Sequence, residues 1–442
     1  MGSFSPASCL SILGGLLVIY IAKKLCLTPI SCLSVLGVLI LLLAAVFVYS
    51  FVIQPLLWKN SPRSKFLDAL HDDDMEMLKK LVERNPGLVR QKDELGVPLI
   101  HYTAYWGNFP ALEYLVSRGA NIHTKGVGRE TLLHIASMKG NLPMIKFLVE
   151  RGADITKPDE FGQTAIERAA FGGKESVEYL LSRGASVNER TRSGRTPLHS
   201  AINKGDMAAA RLLIARGADV NAKDNEGRTP LHLSSNFGIS GFLVSMGADV
   251  NACDGNGHTP LHRALDMRLL NMADLLLKSG ASITPAEELL YAVMRGDKAK
   301  TGQLLSEHPR LAASMGRGTR GWTVLHEAAS RGNAEIAELI IAGGADVNAR
   351  DDNGLTPLHE ASSRRNRALV ELLLAHGSFI NARTEVFDER EHGMHGGETA
   401  LHMAALNGDR ELFDLLAARG ADTSLKDANG NRAEALFRKW SG

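Results

Sequence analysis

The stretch "GRTPLHSAINKGDMAAARLLIARGADVNA" spans residues 194–222, and its opening returns as "GRTPLH" at residues 227–232. Thr196 stands where a helix N-cap belongs, and Pro197 where the first helical residue belongs. Leu198, Ala201 and Ile202 then make a short apolar stripe, and Gly205 ends the first helix. Leu212, Leu213 and Ala215 supply a second helix. Gly217 stops it in a left-handed conformation that a residue with a Cβ resists.

The histidine of the Thr-Pro-Leu-His quartet serves as a ruler. It recurs as His101, His134, His199, His232, His262, His326, His359 and His402, and Glu167 fills the slot in "GQTAIERAA". Most consecutive anchors stand 32–33 residues apart. A fixed period of that size marks a stacked array, whose units cannot bury their apolar faces alone. Some 18–20 residues after most anchors, Gly-Ala stands in a second marker, such as "RGAD" at Arg151, Arg216 and Arg419.

These residues resemble the ankyrin repeat, whose pattern joins Gly-x-Thr-Pro-Leu-His to Leu-Leu and Gly-Ala-Asp-Val-Asn. The resemblance covers roughly residues 64–442 in about twelve units. It implies an all-α solenoid of helix-turn-helix units joined by short hairpin fingers, with partners meeting the fingers and the first helices.

Three departures interrupt the period. His232 and His262 are 30 residues apart, which assigns the loss of about one turn to the second helix, "GISGFLVSM". After Gly280-Ala281-Ser282 the finger is missing, and "TPAEELLYAVMRGDKAKTGQLLSEHPRLA" starts a helix pair without the quartet, much like the first unit, "SKFLDALHDDDMEMLKKLVERNPGLV". This restart divides the repeats into a first array at 64–283 and a second at 284–442. The third departure is an insertion at 383–397, "RTEVFDEREHGMHGG", and a C-terminal cap at 428–442 follows.

The N-terminal residues 1–58 have a different character, with Lys23 and Lys24 as their only charges. Ile30 to Ile53 gives 24 uncharged, mostly apolar residues, about 36 Å of helix, enough to cross a hydrocarbon core of about 30 Å. Residues 7–22 form a shorter apolar run. Together they predict a membrane anchor of one or two transmembrane helices turning near Lys23-Lys24, joined to the repeats by a linker at 59–63. Lys59, Arg63 and Lys65 outnumber the two lysines of the turn, which puts the repeats on the cytoplasmic side.

The composition narrows the function. Outside residues 1–58 the chain holds 48 basic and 49 acidic groups, so it has no general attraction to nucleic-acid phosphates. Cys253 is the one cysteine of the soluble part, so no disulfide forms within it. Nucleophile-elbow, phosphate-loop and His-Glu-x-x-His patterns are missing. No enzyme, cofactor or small-molecule substrate is expected. The quartet histidines also fail as metal ligands, because stacked helices hold equivalent residues about 8–10 Å apart while ligands of one zinc lie within about 4 Å of each other. As the third helical residue, each histidine hydrogen-bonds back to its capping threonine. His392 and His395, with Asp388, Glu389 and Glu391, form only a charged loop.

Partner contacts are expected at the positions just before the helix-ending glycines. Tyr105, Trp106, Met138 and Phe171 make an apolar strip, Phe237 extends it, and the second array offers Arg331 and Arg364, with Trp322 at a finger base. The leading expectation is a non-enzymatic scaffold, anchored in the bilayer, that binds a protein partner. The alternative is a secreted effector whose hairpin enters a target membrane while the repeats recruit host proteins.

Overall fold

The computed structural model describes residues 61–312, 321–385 and 396–437. The anchor segments 7–22 and 30–53, residues 386–395 of the insertion (with His392 and His395) and residues 438–442 of the cap lie outside them. The described residues are helical, with isolated bridges such as Lys92 to Pro98 closing fingers. Among them, no helix is long and apolar enough to cross a membrane.

Two compact units divide at Asn225/Glu226. Unit 1 stacks five antiparallel pairs: α1 (Pro62–His71) with α2 (Met75–Arg84), α3 (His101–Trp106) with α4 (Phe109–Ser117), α5 (Leu132–Lys139) with α6 (Leu142–Glu150), α7 (Ala165–Gly172) with α8 (Lys174–Ser182), and α9 (Pro197–Lys204) with α10 (Met207–Ala215). Alternation of capping residues and glycines sets these bounds. Asn108, Asn141 and Asp206 each accept the backbone N–H three residues on, starting a second helix. Gly107, Gly140 and Gly205 close the first helices at φ near +70° to +80°.

The arginine of the "RGA" marker gains a role here. Arg118, Arg151 and Arg183 fold back over the aromatic ring four residues earlier, at 5.3, 3.7 and 5.1 Å from the centroids of Tyr114, Phe147 and Tyr179.

Unit 2 holds α11 (Pro230–Leu233) with α12 (Phe237–Ser245), α13 (Pro260–Asp266) with α14 (Leu270–Lys278), α15 (Pro285–Arg295) with α16 (Lys298–Glu307), α17 (Val324–Arg331) with α18 (Ala334–Ala342), α19 (Pro357–Ser363) with α20 (Arg367–Ala375), α21 (Ala400–Leu406) with α22 (Arg410–Ala418), and the short α23 (Ala433–Leu436). The 30-residue repeat corrects an expectation. Its second helix, α12, has the usual nine residues, whereas the first, α11, has only four. Ser234 already has an extended backbone, and the Asn236 side chain accepts the Ile239 N–H to start α12. The missing turn therefore belongs to the first helix.

The missing finger falls at 283/284, inside unit 2. Thr284 and Glu287 form a capping box there, and α15 packs on α13 and α14. Both α16 and α2 leave through a short 3₁₀ turn that opens with proline, at Pro309 and Pro86. Where α15 meets α13, His262 turns its Nδ1 to Glu287 Oε1 at 3.0 Å, and its ring stacks on His258 at 4.1 Å between centroids.

Among the described glycines of unit 1, Gly172 leaves the least room, where α7 meets α5. A Cβ on Gly172 would lie 1.9 Å from the Ser137 carbonyl oxygen and 2.8 Å from Gly140 N. Gly172→Ala must force these helices apart, and the expected loss is about 2 kcal/mol or more. Gly241→Ala, inside α12, would meet only Leu275 at 3.8 Å and should be neutral or stabilising by up to about 1 kcal/mol. Thermal melts of the two variants followed by circular dichroism test the contrast; equal melts would contradict it.

Candidate protein-interaction surface

The recurring histidines resolve into scaffold. His134 Nδ1 lies 3.2 Å from the Thr131 backbone N–H and 2.8 Å from its hydroxyl. A backbone N–H only donates, so Nδ1 is the unprotonated nitrogen and Nε2 carries the hydrogen. That Nε2–H donates to Gln163 O of the next finger at 3.0 Å. In unit 2 the same donation runs from His232 to His258 O, from His326 to Leu355 O and from His359 to Ala382 O, each at 3.0 Å. Both ring nitrogens are thus occupied, one capping its own helix and the other tying it to the next repeat. The capping role follows the sequence pattern; the tie to the next finger is new.

Two slots depart. At His101 the threonine position is Pro98, which has neither hydroxyl nor N–H, and His101 Nδ1 is buried without a partner. At Glu167, Oε2 accepts the Thr164 N–H at 2.8 Å, while Oε1 is buried without a partner. Burial pushes the Glu167 carboxyl up to about 8. Burial also holds His101, His326 and His359 down to about 4.

The expected partner residues are only partly free. Trp106 is 40% exposed, and its ring packs against Tyr102 at 5.0 Å and edge-on to His71 at 5.4 Å. Tyr105 is half-buried and donates its hydroxyl to Glu130. Met138 is half-buried, with its sulfur 3.7 Å from an Arg168 nitrogen. Arg168 itself is anchored on the buried Asp159 at 2.7 Å. Phe171 is half-buried, and its carbonyl accepts from Lys204 Nζ. Phe237 is exposed, but it is the first residue of α12 and not the end of a first helix, because α11 stops at Leu233.

A more exposed feature lies at the finger tips. Each finger turns on a glycine at positive φ, and the residue before it stands at the tip. In the first three fingers that residue is Leu95, Val127 or Phe161, with 79%, 58% and 59% of its surface exposed. Ser193 and Glu226 hold the position in the next two. Backbone bonds stitch tips together, from Glu160 N–H to Gly128 O at 2.7 Å and from Arg192 N–H to Phe161 O at 2.9 Å. The signal for this row was present in the sequence, one residue before each finger glycine.

Unit 2 presents a different inner face. Glu327, 2% exposed, accepts from Arg331 Nε at 2.8 Å and from Trp322 Nε1 at 3.2 Å, and pairs with Arg268 Nε at 3.1 Å. The Arg268 guanidinium also lies 4.5 Å above the Trp322 ring. Arg364 donates to Ser330 Oγ at 3.3 Å. Arg364 is therefore tied to the preceding repeat, Trp322 to Arg268 two repeats earlier, and Arg331 to its own helix. Among the described residues, no group of three or more His, Cys, Asp or Glu is arranged to hold a metal.

The titrations give opposite pH dependences. An unfolded histidine binds its proton near 6.5, above the folded value of about 4 for His101, His326 and His359. Their stabilisation is full above pH 6.5 and is lost as the pH falls toward 4, by roughly 3 kcal/mol for each deeply buried ring. Denaturant midpoints should drop between pH 7 and pH 5; an unchanged midpoint would count against the neutral imidazole link. Glu167 has the reverse sign, because its folded value of about 8 exceeds the ordinary 4.5. Its contribution is full below pH 4.5 and fades as the pH rises toward 8. Glu167→Gln should raise Tm by several degrees at pH 8 and by little at pH 4.5, and a gain independent of pH would refute the assignment.

Known families give the same picture. The profile for ankyrin repeats in three copies matches residues 66–159, 100–191, 133–224, 166–254, 218–286 and 289–384, and that for a single ankyrin repeat matches 396–428. A comparison with curated proteins finds no match. Capped helix pairs, glycine-turned fingers and histidine ties accord with profiles covering most of the sequence, and the chain belongs to the ankyrin-repeat family.

Proposed function

We propose that this protein is a non-enzymatic, membrane-anchored scaffold that captures a partner protein through unit 1. Ankyrin repeats are protein-interaction scaffolds, and the observation that carries the assignment to unit 1 is the exposed row of Leu95, Val127 and Phe161, together with Trp106. Large apolar groups held out on rigid turns have little entropy left to lose on binding, which makes them effective anchors. The inner face of unit 2, by contrast, ties its arginines to Glu327 and Ser330.

The apolar residues Ile30 to Ile53 supply the anchor in this reading, and the basic residues after Trp58 keep the repeats on the cytoplasmic side. Scaffold and partner then meet close to the bilayer.

Crosslinking with mass spectrometry on intact membranes tests the proposal. Leu95→Asp, Val127→Asp and Phe161→Asp together should remove the crosslinked partner while Tm stays within about 2 °C, since exposed substitutions move stability little. An unchanged set of crosslinks would rule out the finger tips as the docking surface. Removal of residues 1–58 should move the chain from the membrane to the soluble fraction, and continued membrane residence would remove the anchor.

A further inference from the structure

Beside the first finger of unit 1 lies a cleft of about 410 Å³, within the size range of small-ligand sites. Trp106 and Tyr102 form its aromatic wall, and Leu95 and Leu67 supply its apolar surface. The Tyr102 hydroxyl donates to Asp93 Oδ2 at 2.5 Å, and Asp93 Oδ1 accepts the Leu95 and Val97 N–H groups, both at 2.8 Å. The carboxylate is thus fixed, and its hydrogen bond makes the Tyr102 ring richer in electrons.

Three carboxylates line this cleft, Asp68, Asp93 and Glu94, against one guanidinium, that of Arg63. Arg63 is already committed, with one nitrogen 3.1 Å from Lys92 O and another 3.5 Å from Glu94. Asp68 is exposed, and its carboxylate has no partner among the described residues. An electron-rich wall with surplus negative charge selects a cation, and a planar guanidinium satisfies both by stacking on the ring and forking to a carboxylate.

The same chain builds that constellation elsewhere from its own residues. In unit 2, Arg268 stacks 4.5 Å from Trp322 and pairs with Glu327 at 3.1 Å. Trp106 has the ring and the carboxylates, and no arginine of the described residues stacks on it.

We infer that the Trp106 cleft takes an arginine side chain from an extended segment of the partner protein, with flanking residues lying along the apolar finger tips. The inference rests on the scaffold reading and names the chemistry of its partner.

The test uses the full chain in detergent micelles with ¹⁵N-labelled tryptophan, whose Trp106 indole signal is assigned with Trp106→Phe. The probes are N-acetyl-arginine N-methylamide and its uncharged isostere, the citrulline derivative. The arginine probe should shift the Trp106 signal saturably while the Trp322 signal stays in place, and citrulline should bind at least tenfold more weakly. Asp68→Asn, an exposed change that leaves the melt unchanged, should weaken the arginine probe at least threefold. Equal shifts from citrulline, parallel shifts at Trp322, or no saturable shift would each overturn the proposal. So would a Trp106 signal that moves on Lys59→Gln without any probe, since the chain's own segment would then hold the cleft. If the arginine probe fails while the finger-tip substitutions still abolish crosslinking, the scaffold stands and only the arginine site falls.

Discussion

Where the slot histidine faces its capping threonine, a single neutral imidazole carries two obligations on which the stack depends. Its Nδ1 satisfies the start of its own helix, and its Nε2–H satisfies a carbonyl in the next finger, as between His134 and Gln163. A repeat of this length is too small to close a core, so order along the stack needs polar links as well as apolar contact. Asparagine adds a second link. Asn348 donates to Gly377 O at 3.1 Å and accepts the Phe379 N–H at 2.7 Å, binding one finger base to the next. Both links cross a repeat boundary, which couples neighbours without any long-range sequence signal beyond the period itself.

Legibility followed the range of each interaction. Helix starts and stops were readable because a cap, a proline and a glycine act within one turn, as at Thr196, Pro197 and Gly205. The shortened repeat was misread for a related reason. A 30-residue spacing states how much chain is missing and says nothing about where, and the decision lay in Asn236 capping α12 directly after Ser234-Ser235. The finger tips lie away from the helix ends that the repeat pattern marks, although Leu95, Val127 and Phe161 stand at a fixed position before glycine. The tie of Trp322 to Arg268 was out of reach, since Glu327 holds both across more than fifty residues, whereas Arg331 stands at i+4 from Glu327 on one helix.

The two units consequently expose different chemistry on the same scaffold. In unit 1, aromatic and aliphatic groups stand partly clear of their neighbours, and Asp68 has a free carboxylate. In unit 2, arginines lie over a buried carboxylate and an indole, so their charge is directed inward. Breaking one member of such a set leaves a desolvated charge behind, which is costly even where the intact set contributes little net stability.

Arg268 has one further consequence. It occupies the slot that glycine fills in most repeats, at φ 57°, as do Asp73 at 54° and Arg365 at 57°. Glycine would relax each of these backbones, by an amount on the order of 1 kcal/mol. In each case the strained residue reaches a later repeat: Asp73 accepts from Asn108 and Arg365 donates to Asn407 O in the following one, and Arg268 pairs with Glu327 two repeats on. A position built as a hinge pin has become a strut. Where glycine leaves adjacent repeats free to flex about their turn, these three side chains brace them, so the stiffness of the array varies along its length and is written in the residues that replace glycine.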